Sequence, residues 1–151
     1  MSVFVDSTTI LYPLDPTEIE KGRICETWLR TVRPSGALVL AMQVLNEVHS
    51  AAWRKPVFKP ARTGLRDHLR TYHAFCTAPP QTPGTQEQAW ALQDRYGLQW
   101  RDALLLASAN AAGCEHFLSE DLNDGQLYGS VRAINPFRHQ PQDVLGRALS
   151  R

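Results

Sequence analysis

Ser2-Val3-Phe4-Val5-Asp6-Ser7-Thr8-Thr9 is the stretch that decides the fold. Val3 to Val5 is a short apolar run rich in β-favouring residues, and it ends abruptly at a carboxylate and three hydroxyl residues. It reads as a short buried strand. Ala37-Leu38-Val39-Leu40 is a second run of the same kind, best suited to a buried parallel strand. Between them, Asp15-Pro16-Thr17-Glu18 predicts a helix start, with Asp15 as cap, Pro16 in the first turn and Glu18 completing a capping-box-like pattern. Ile24, Cys25, Trp28, Leu29 and Val32 follow at helical spacing, and Pro34-Ser35-Gly36 breaks the helix.

The alternation continues downstream. Val44, Leu45, Val48 and Ala52 mark the inner face of a helix over Ala41 to Trp53. Ala61 to Phe75 fits a further helix with Leu65, Leu69, Tyr72 and Phe75 on one side, and a brief strand is possible over Phe75 to Ala78. Thr85 to Tyr96 reads as helix ended by Gly97, and Trp100 to Ala112 as a core helix stopped by Gly113. His116 to Ser119 and Val131 to Ile134 are strand candidates. Strands alternating with helices imply an α/β fold, a mainly parallel central sheet between helical layers. Residues 1–137 form this domain, and 138–151 read as a polar, loosely held C-terminal tail.

A chain of 151 residues is most economically one domain with a real core. A formal net charge of +1 supplies no bulk attraction to nucleic acid or membrane, though it leaves a local basic surface open. No apolar run reaches membrane-span length, and the N-terminus lacks the pattern of a secretory signal. Cys25, Cys76 and Cys114 are odd in number and widely spaced, as expected of reduced thiols in a cytoplasmic protein. Dispersed histidines and no Cys-x-x-Cys pair argue against structural zinc.

Four acids stand on the edges of these elements. Asp6 ends the first strand, and Asp121 follows the run Phe117-Leu118-Ser119. Glu47 sits early in its helix, and Asp102 heads Ala103-Leu104-Leu105-Leu106-Ala107. Sites in open parallel sheets lie beyond the carboxyl ends of the strands, where Asp6 and Asp121 fall, and helix starts carrying Glu47 and Asp102 can approach the same edge. Taken singly, each acid has an ordinary reading as turn, helix-start, loop or solvated-helix charge. Taken together, four carboxylates in one pocket repel one another, and hard divalent cations such as Mg²⁺ or Mn²⁺ relieve that repulsion.

The segments Val3-Phe4-Val5-Asp6-Ser7-Thr8 with Ile10-Leu11-Tyr12, Gln43-Val44-Leu45-Asn46-Glu47, Trp100-Arg101-Asp102-Ala103-Leu104-Leu105-Leu106-Ala107, Phe117-Leu118-Ser119-Glu120-Asp121-Leu122 and Asn135-Pro136-Phe137 resemble, in order and spacing, the PIN-domain ribonucleases, especially toxins of the VapC type. The resemblance runs from Val3 to Phe137 and implies a three-layer PIN-like fold. It maps the family's acidic quartet onto Asp6, Glu47, Asp102 and Asp121, a small polar residue onto Thr8, and a hydroxyl residue onto Ser119. An aromatic often found after the fourth aspartate is replaced by Asp124, which either supplements the metal site or faces solvent. The implied chemistry is phosphodiester hydrolysis with one or two Mg²⁺ or Mn²⁺ ions, which make hydroxide available near neutral pH and stabilise phosphate charge. Asp6 is the expected central ligand, with Asp102 and Asp121 beside it. Glu47 binds a second metal or orients the attacking water.

The implied setting is the toxin of a type II toxin–antitoxin pair: a homodimer that cuts RNA and is blocked by an antitoxin peptide across its acidic groove. Alternatives are a PIN nuclease for RNA processing or DNA outside toxin systems, and a catalytically idle PIN scaffold that binds RNA or protein. A phospho-acceptor receiver domain is disfavoured, because no lysine sits near a late strand end. Arg62, Arg66 and Arg70, spaced as successive helical turns beyond Arg54, Lys55 and Lys59, read either as an RNA-tracking stripe or as a solvated face. Trp53, Trp90 and Trp100 suit base stacking or packing at core edges and subunit interfaces, and His49 suits a phosphate contact or an ordinary surface position.

Overall fold

The computed structural model describes residues 1–149. Five strands, β1 (Val3–Val5), β2 (Leu38–Val39), β3 (His116–Leu118), β4 (Leu127–Tyr128) and β5 (Val131–Ile134), form one sheet in the order β2-β1-β3-β5-β4. All neighbours pair in parallel except β4, which runs antiparallel to β5. Seven α-helices flank it: α1 (Ser7–Leu11), α2 (Ile19–Val32), α3 (Met42–Arg54), α4 (Leu65–Arg70), α5 (Pro83–Tyr96), α6 (Trp100–Ala111) and α7 (Pro141–Leu149). The α/β class and the mainly parallel sheet are as expected from the sequence. Among the described residues, no helix is long and apolar enough to cross a membrane.

β1 is an interior strand, paired on both edges, and Val3, Phe4 and Val5 are all buried. Strands covered on both faces read as continuous apolar runs, which is why this one shows no alternation. In its register with β3, Phe4 lies opposite Phe117, and their rings stack at 5.2 Å. The chain leaves β1 for β2 on one side and later returns to β3 on the other. That reversal opens a crevice at the carboxyl ends of β1 and β3, the usual position for a site in such sheets. Asp6 and Ser119 are the first residues beyond those ends.

Packing between the early helices depends on one glycine. A Cβ at Gly22 of α2 would lie 2.8 Å from the Tyr12 carbonyl, so only glycine lets α2 pack this close to the 3₁₀ turn Tyr12–Leu14. Trp28 of the same helix is buried and donates its indole N–H to the Pro136 carbonyl at 3.0 Å, joining α2 to the segment after β5.

Four local expectations change. α2 begins at Ile19; Asp15 instead closes a turn by accepting from the Thr17 amide and hydroxyl, and Glu18 makes no side-chain cap. The helix expected over Ala61 to Phe75 is three pieces: a 3₁₀ segment Pro56–Arg62 containing Pro60, α4, and a 3₁₀ turn His73–Phe75, with Gly64 at φ +76 separating the first two. Phe75 to Ala78 is not a regular strand, yet Leu40 donates to the Phe75 carbonyl and accepts from the Ala78 amide, extending the edge beyond β2. The segment 138–151 contains α7, with Leu145 buried, rather than a polar, loose tail. Ser150 and Arg151 of that segment lie outside the described residues.

Candidate active site

Asp6 enters the crevice because β1 ends there and α1 begins at once. It is the N-cap of α1, in extended conformation, and its Oδ1 accepts from the Ser7 amide at 2.6 Å. The side chain is fully buried. Asp102 arrives from the first turn of α6, whose apolar face fixes it against the sheet. Glu47 arrives from the second turn of α3.

These three acids meet on one guanidinium. Arg101 Nη2 lies 2.5 Å from Asp6 Oδ1 and 2.7 Å from Glu47 Oε2, and Nη1 lies 3.2 Å from Asp102 Oδ1. Nη2 also donates to Ser7 Oγ at 2.6 Å, and Nε to Glu47 Oε2 at 2.9 Å. The other Glu47 oxygen accepts from Gln43 at 3.0 Å, and Gln43 in turn accepts from Gln81. Ser119, buried at the end of β3, takes the Asp121 amide on its hydroxyl at 3.2 Å. Asp121 itself is exposed at the rim.

The electrostatics follow from burial and crowding. Burial pushes the Asp6 carboxyl above its ordinary value despite the bonds from Arg101 and Ser7. Asp102 is raised too, by burial first and then by the negative charge of Asp6, with smaller contributions from Asp121 and Glu47 against the opposing pull of Arg101. Burial works against the charge on Arg101, but the bonds to Asp6 and Glu47 more than offset it and raise that group. Three carboxylates around one guanidinium leave two formal negative charges unmatched, before Asp121 is counted.

Asp6 Oδ2 is buried and has no hydrogen-bond partner. Leaving a buried acceptor unpaired costs about 1–3 kcal/mol, more when it is charged. A divalent cation fits this place: the available donors are carboxylate oxygens, one is unsatisfied, and the surplus charge is negative. With Arg101 between the acids, no three acidic, histidine or cysteine side chains among the described residues close into a ready metal cage. The residues that would hold a cation are Asp6 and Asp102, with Glu47 at one side and Asp121 at the rim.

Other expected residues fall elsewhere. Thr8 is half-buried in α1, where its carbonyl accepts the Tyr12 amide. Asp124 neither joins the acidic pocket nor faces solvent; its oxygens bind the Asn135 amide at 2.9 Å and His139 Nε2 at 2.7 Å. Burial pushes its carboxyl up, but those two bonds prevail and hold it below its ordinary value. Arg62, Arg66 and Arg70 do not form one helical stripe. Arg62 lies in the 3₁₀ segment and donates to the Ala52 and Lys55 carbonyls, fastening the end of α3. Arg70 pairs with Asp67. Arg66 lies over the Trp53 ring at 4.8 Å, and that ring stacks on His49 at 5.0 Å. Trp53 remains 44% exposed, so this stack stands at the surface. A groove of about 770 Å³ lined by Met42, Gln43, Glu47, Pro79, Gln81 and Ser108 leads away from the acidic pocket.

Arg101, Ser7 and Gln43 carry contacts to which sequence reasoning assigned no role. Gln43 stands four residues before Glu47, the spacing at which helical side chains meet, so its signal was present. Arg101 was visible only as the neighbour of Asp102.

The PIN-domain family model matches residues 3–124, a span that opens on β1 and contains Asp6, Glu47, Asp102 and Asp121. No curated protein matches the chain. A match over most of the length, on a five-stranded mainly parallel sheet with its acids at the carboxyl edge, agrees with the resemblance of the motifs: the chain belongs to the PIN-domain family, whose members are generally nucleases.

Proposed function

We propose that this protein is a Mg²⁺- or Mn²⁺-dependent endoribonuclease and the toxin of a type II toxin–antitoxin pair. The observation that carries the metal-dependent reading is the buried, unpartnered Oδ2 of Asp6 in a pocket with surplus negative charge. The toxin reading rests on the motif order that resembles VapC-type proteins.

When bound, a divalent cation supplies Lewis-acid stabilisation of phosphate charge and lowers the pKa of water. Asp6 and Asp102 would hold it, with Asp121 completing the rim. Glu47, held by Gln43, would orient a water molecule. In the hydrolysis, the water oxygen bonds to phosphorus, the bond to one ribose oxygen breaks, and a proton passes to that oxygen. His49 and Trp53 stand on α3, the helix of Glu47, Arg66 reaches their stack from α4, and together they offer a planar surface and a positive charge to an RNA strand. A homodimer and a peptide antitoxin covering the acidic groove complete the proposal. Exposed Trp90 and Trp100, 6.5 Å apart, provide apolar surface for such contacts.

The test is cleavage of total RNA with mapped ends, with Mg²⁺, Mn²⁺ or chelator, beside Asp6→Asn and with single-stranded DNA as competitor. Metal-dependent cuts in RNA that vanish in the variant support the reading. Preferential cutting of DNA favours a nuclease outside toxin systems. Binding without cleavage under every metal favours an idle scaffold.

A further inference from the structure

The oxygens that Arg101 grips are the oxygens a divalent ion needs. One guanidinium reaches Asp6, Glu47 and Asp102 within 3.2 Å. A divalent ion and a guanidinium cannot share that centre, because two like charges a few ångströms apart in a half-buried pocket repel strongly. The guanidinium is nevertheless an imperfect occupant. It serves Oδ1 of Asp6 and leaves Oδ2 buried without a partner. It brings one positive charge to three carboxylates. Its side chain is 37% exposed, so rotation about its own bonds can carry it to solvent without moving the backbone of α6.

We propose that Arg101 is the resident counter-cation of the acidic pocket, and that a divalent ion binds by exchange with it, so that metal occupancy and Arg101 release are one equilibrium. The proposal rests on the metal-dependent reading of the site. Its consequence is a built-in threshold. In the absence of metal the pocket stays assembled on Arg101 rather than flying apart by repulsion. The apparent metal affinity is then reduced by the fraction of molecules in which the pocket is open. A closed population of about 90–99% lowers that affinity about 10–100-fold. The same exchange frees a guanidinium at the pocket mouth when the ion arrives.

The experiment is calorimetric titration of Mn²⁺ into the wild-type chain, Arg101→Met and Arg101→Lys, together with the Arg101 Nε–H signal in ¹H–¹⁵N spectra as Mg²⁺ is added. Arg101→Met is expected to bind Mn²⁺ at least about tenfold more tightly. In the wild type, Mg²⁺ is expected to shift or broaden the Nε–H signal as its bond to Glu47 is lost. Equal or weaker binding by a folded Arg101→Met protein overturns the proposal, as does an Nε–H signal that stays unchanged at saturating Mg²⁺. If Arg101→Met does not fold, Arg101→Lys decides: lysine keeps the charge without the fork, so tighter binding than wild type supports exchange, and equal or weaker binding overturns it. Failure of all proteins to bind Mn²⁺ refutes the metal reading itself and this proposal with it, whereas equal binding by all refutes exchange alone.

Discussion

Replacing Asp6 by asparagine separates a residue that serves the site from one that serves the fold. The side chain keeps its shape, and its oxygen still accepts from the Ser7 amide. What disappears is the ionic part of the bond from Arg101 Nη2. A hydrogen bond to a charged group contributes about 1.5–3 kcal/mol, and breaking a fully buried ion pair costs about 3–5 kcal/mol. Asp6 falls short of the second case, because Arg101 is partly exposed and keeps Glu47 and Asp102 as partners. Against this loss stand two gains. The unpartnered Oδ2 becomes a neutral amide nitrogen, so a buried charge with an empty side is removed. The repulsion that raises Asp102 loses its largest neighbouring contributor. These effects are of similar size and opposite sign, so metal-free Asp6→Asn is expected within about 1.5 kcal/mol of wild type. Cleavage is expected to fall at least about 10²-fold, the usual loss when one preorganised electrostatic partner of the reacting charge is removed.

The assay pairs urea denaturation, followed by tryptophan fluorescence, with RNA cleavage, each with and without Mg²⁺. Wild type is expected to gain stability from Mg²⁺, because an ion that binds only the folded state stabilises it. The variant is expected to gain little. A metal-free loss above about 3 kcal/mol would mean that Asp6 is chiefly the structural anchor of Arg101. Cleavage retained by the variant would remove Asp6 from the site altogether.

Three further outcomes follow from single contacts. Asn110 bonds the Leu106 and Tyr128 carbonyls and accepts from the Ser130 amide and hydroxyl, so Asn110→Ala should cost about 2–4 kcal/mol in urea denaturation; a loss below about 0.5 kcal/mol would show that the β4–β5 turn is not stapled through it. Asp124 has a depressed folded value, so its contribution is present above the ordinary carboxylate range and is lost as pH falls through the folded value, below about pH 4. Thermal melts of wild type should therefore lose stability in that acid window more than melts of Asp124→Asn, and parallel curves would reject the clamp to Asn135 and His139. Arg66→Ala with Arg70→Ala should weaken RNA binding and reduce its salt slope by about 1–2, with Arg62 spared because its bonds hold α3; an unchanged slope would count against an RNA surface there.

How far the fold was legible depends on whether local chemistry and tertiary packing agree. Val3–Val5 is apolar because both faces of its strand are covered, so composition announces it, and Val131–Ile134 shows its buried residues with only Arg132 exposed. Gly36, Gly97 and Gly113 stop their segments at left-handed φ, as glycines at such ends do. Leu65, Leu69, Tyr72 and Phe75 keep a helical period, yet periodicity carries no record of Gly64 at φ +76 or of the 3₁₀ winding before it. β4 is two residues long, pairs with β5 across the turn Gly129-Ser130, and is held by Asn110 from α6, a partner that no short window of sequence around it contains. α7 was hidden by its polarity, since Pro141 and Leu145 are its buried residues among those whose side chains are described.

The acids show the same division at closer range. Asp6 and Asp121 could be placed because a parallel strand delivers whatever follows it to one edge. Asp124 lies only three residues beyond Asp121 and has the same side chain, but the turn before β4 directs it to the Asn135 amide and His139. Arg101 is the converse case. Consecutive helical residues point about 100° apart, so helical spacing assigns Arg101 and Asp102 to different faces. The long side chain of Arg101 spans that angle because Asp6, Glu47 and Asp102 converge from three other positions in the chain to draw it in. Membership of the pocket is therefore decided by competition for oxygens. Asp124 is outside because a backbone amide and a histidine have taken its oxygens, and Asp6 is inside because one of its oxygens has been left for something else.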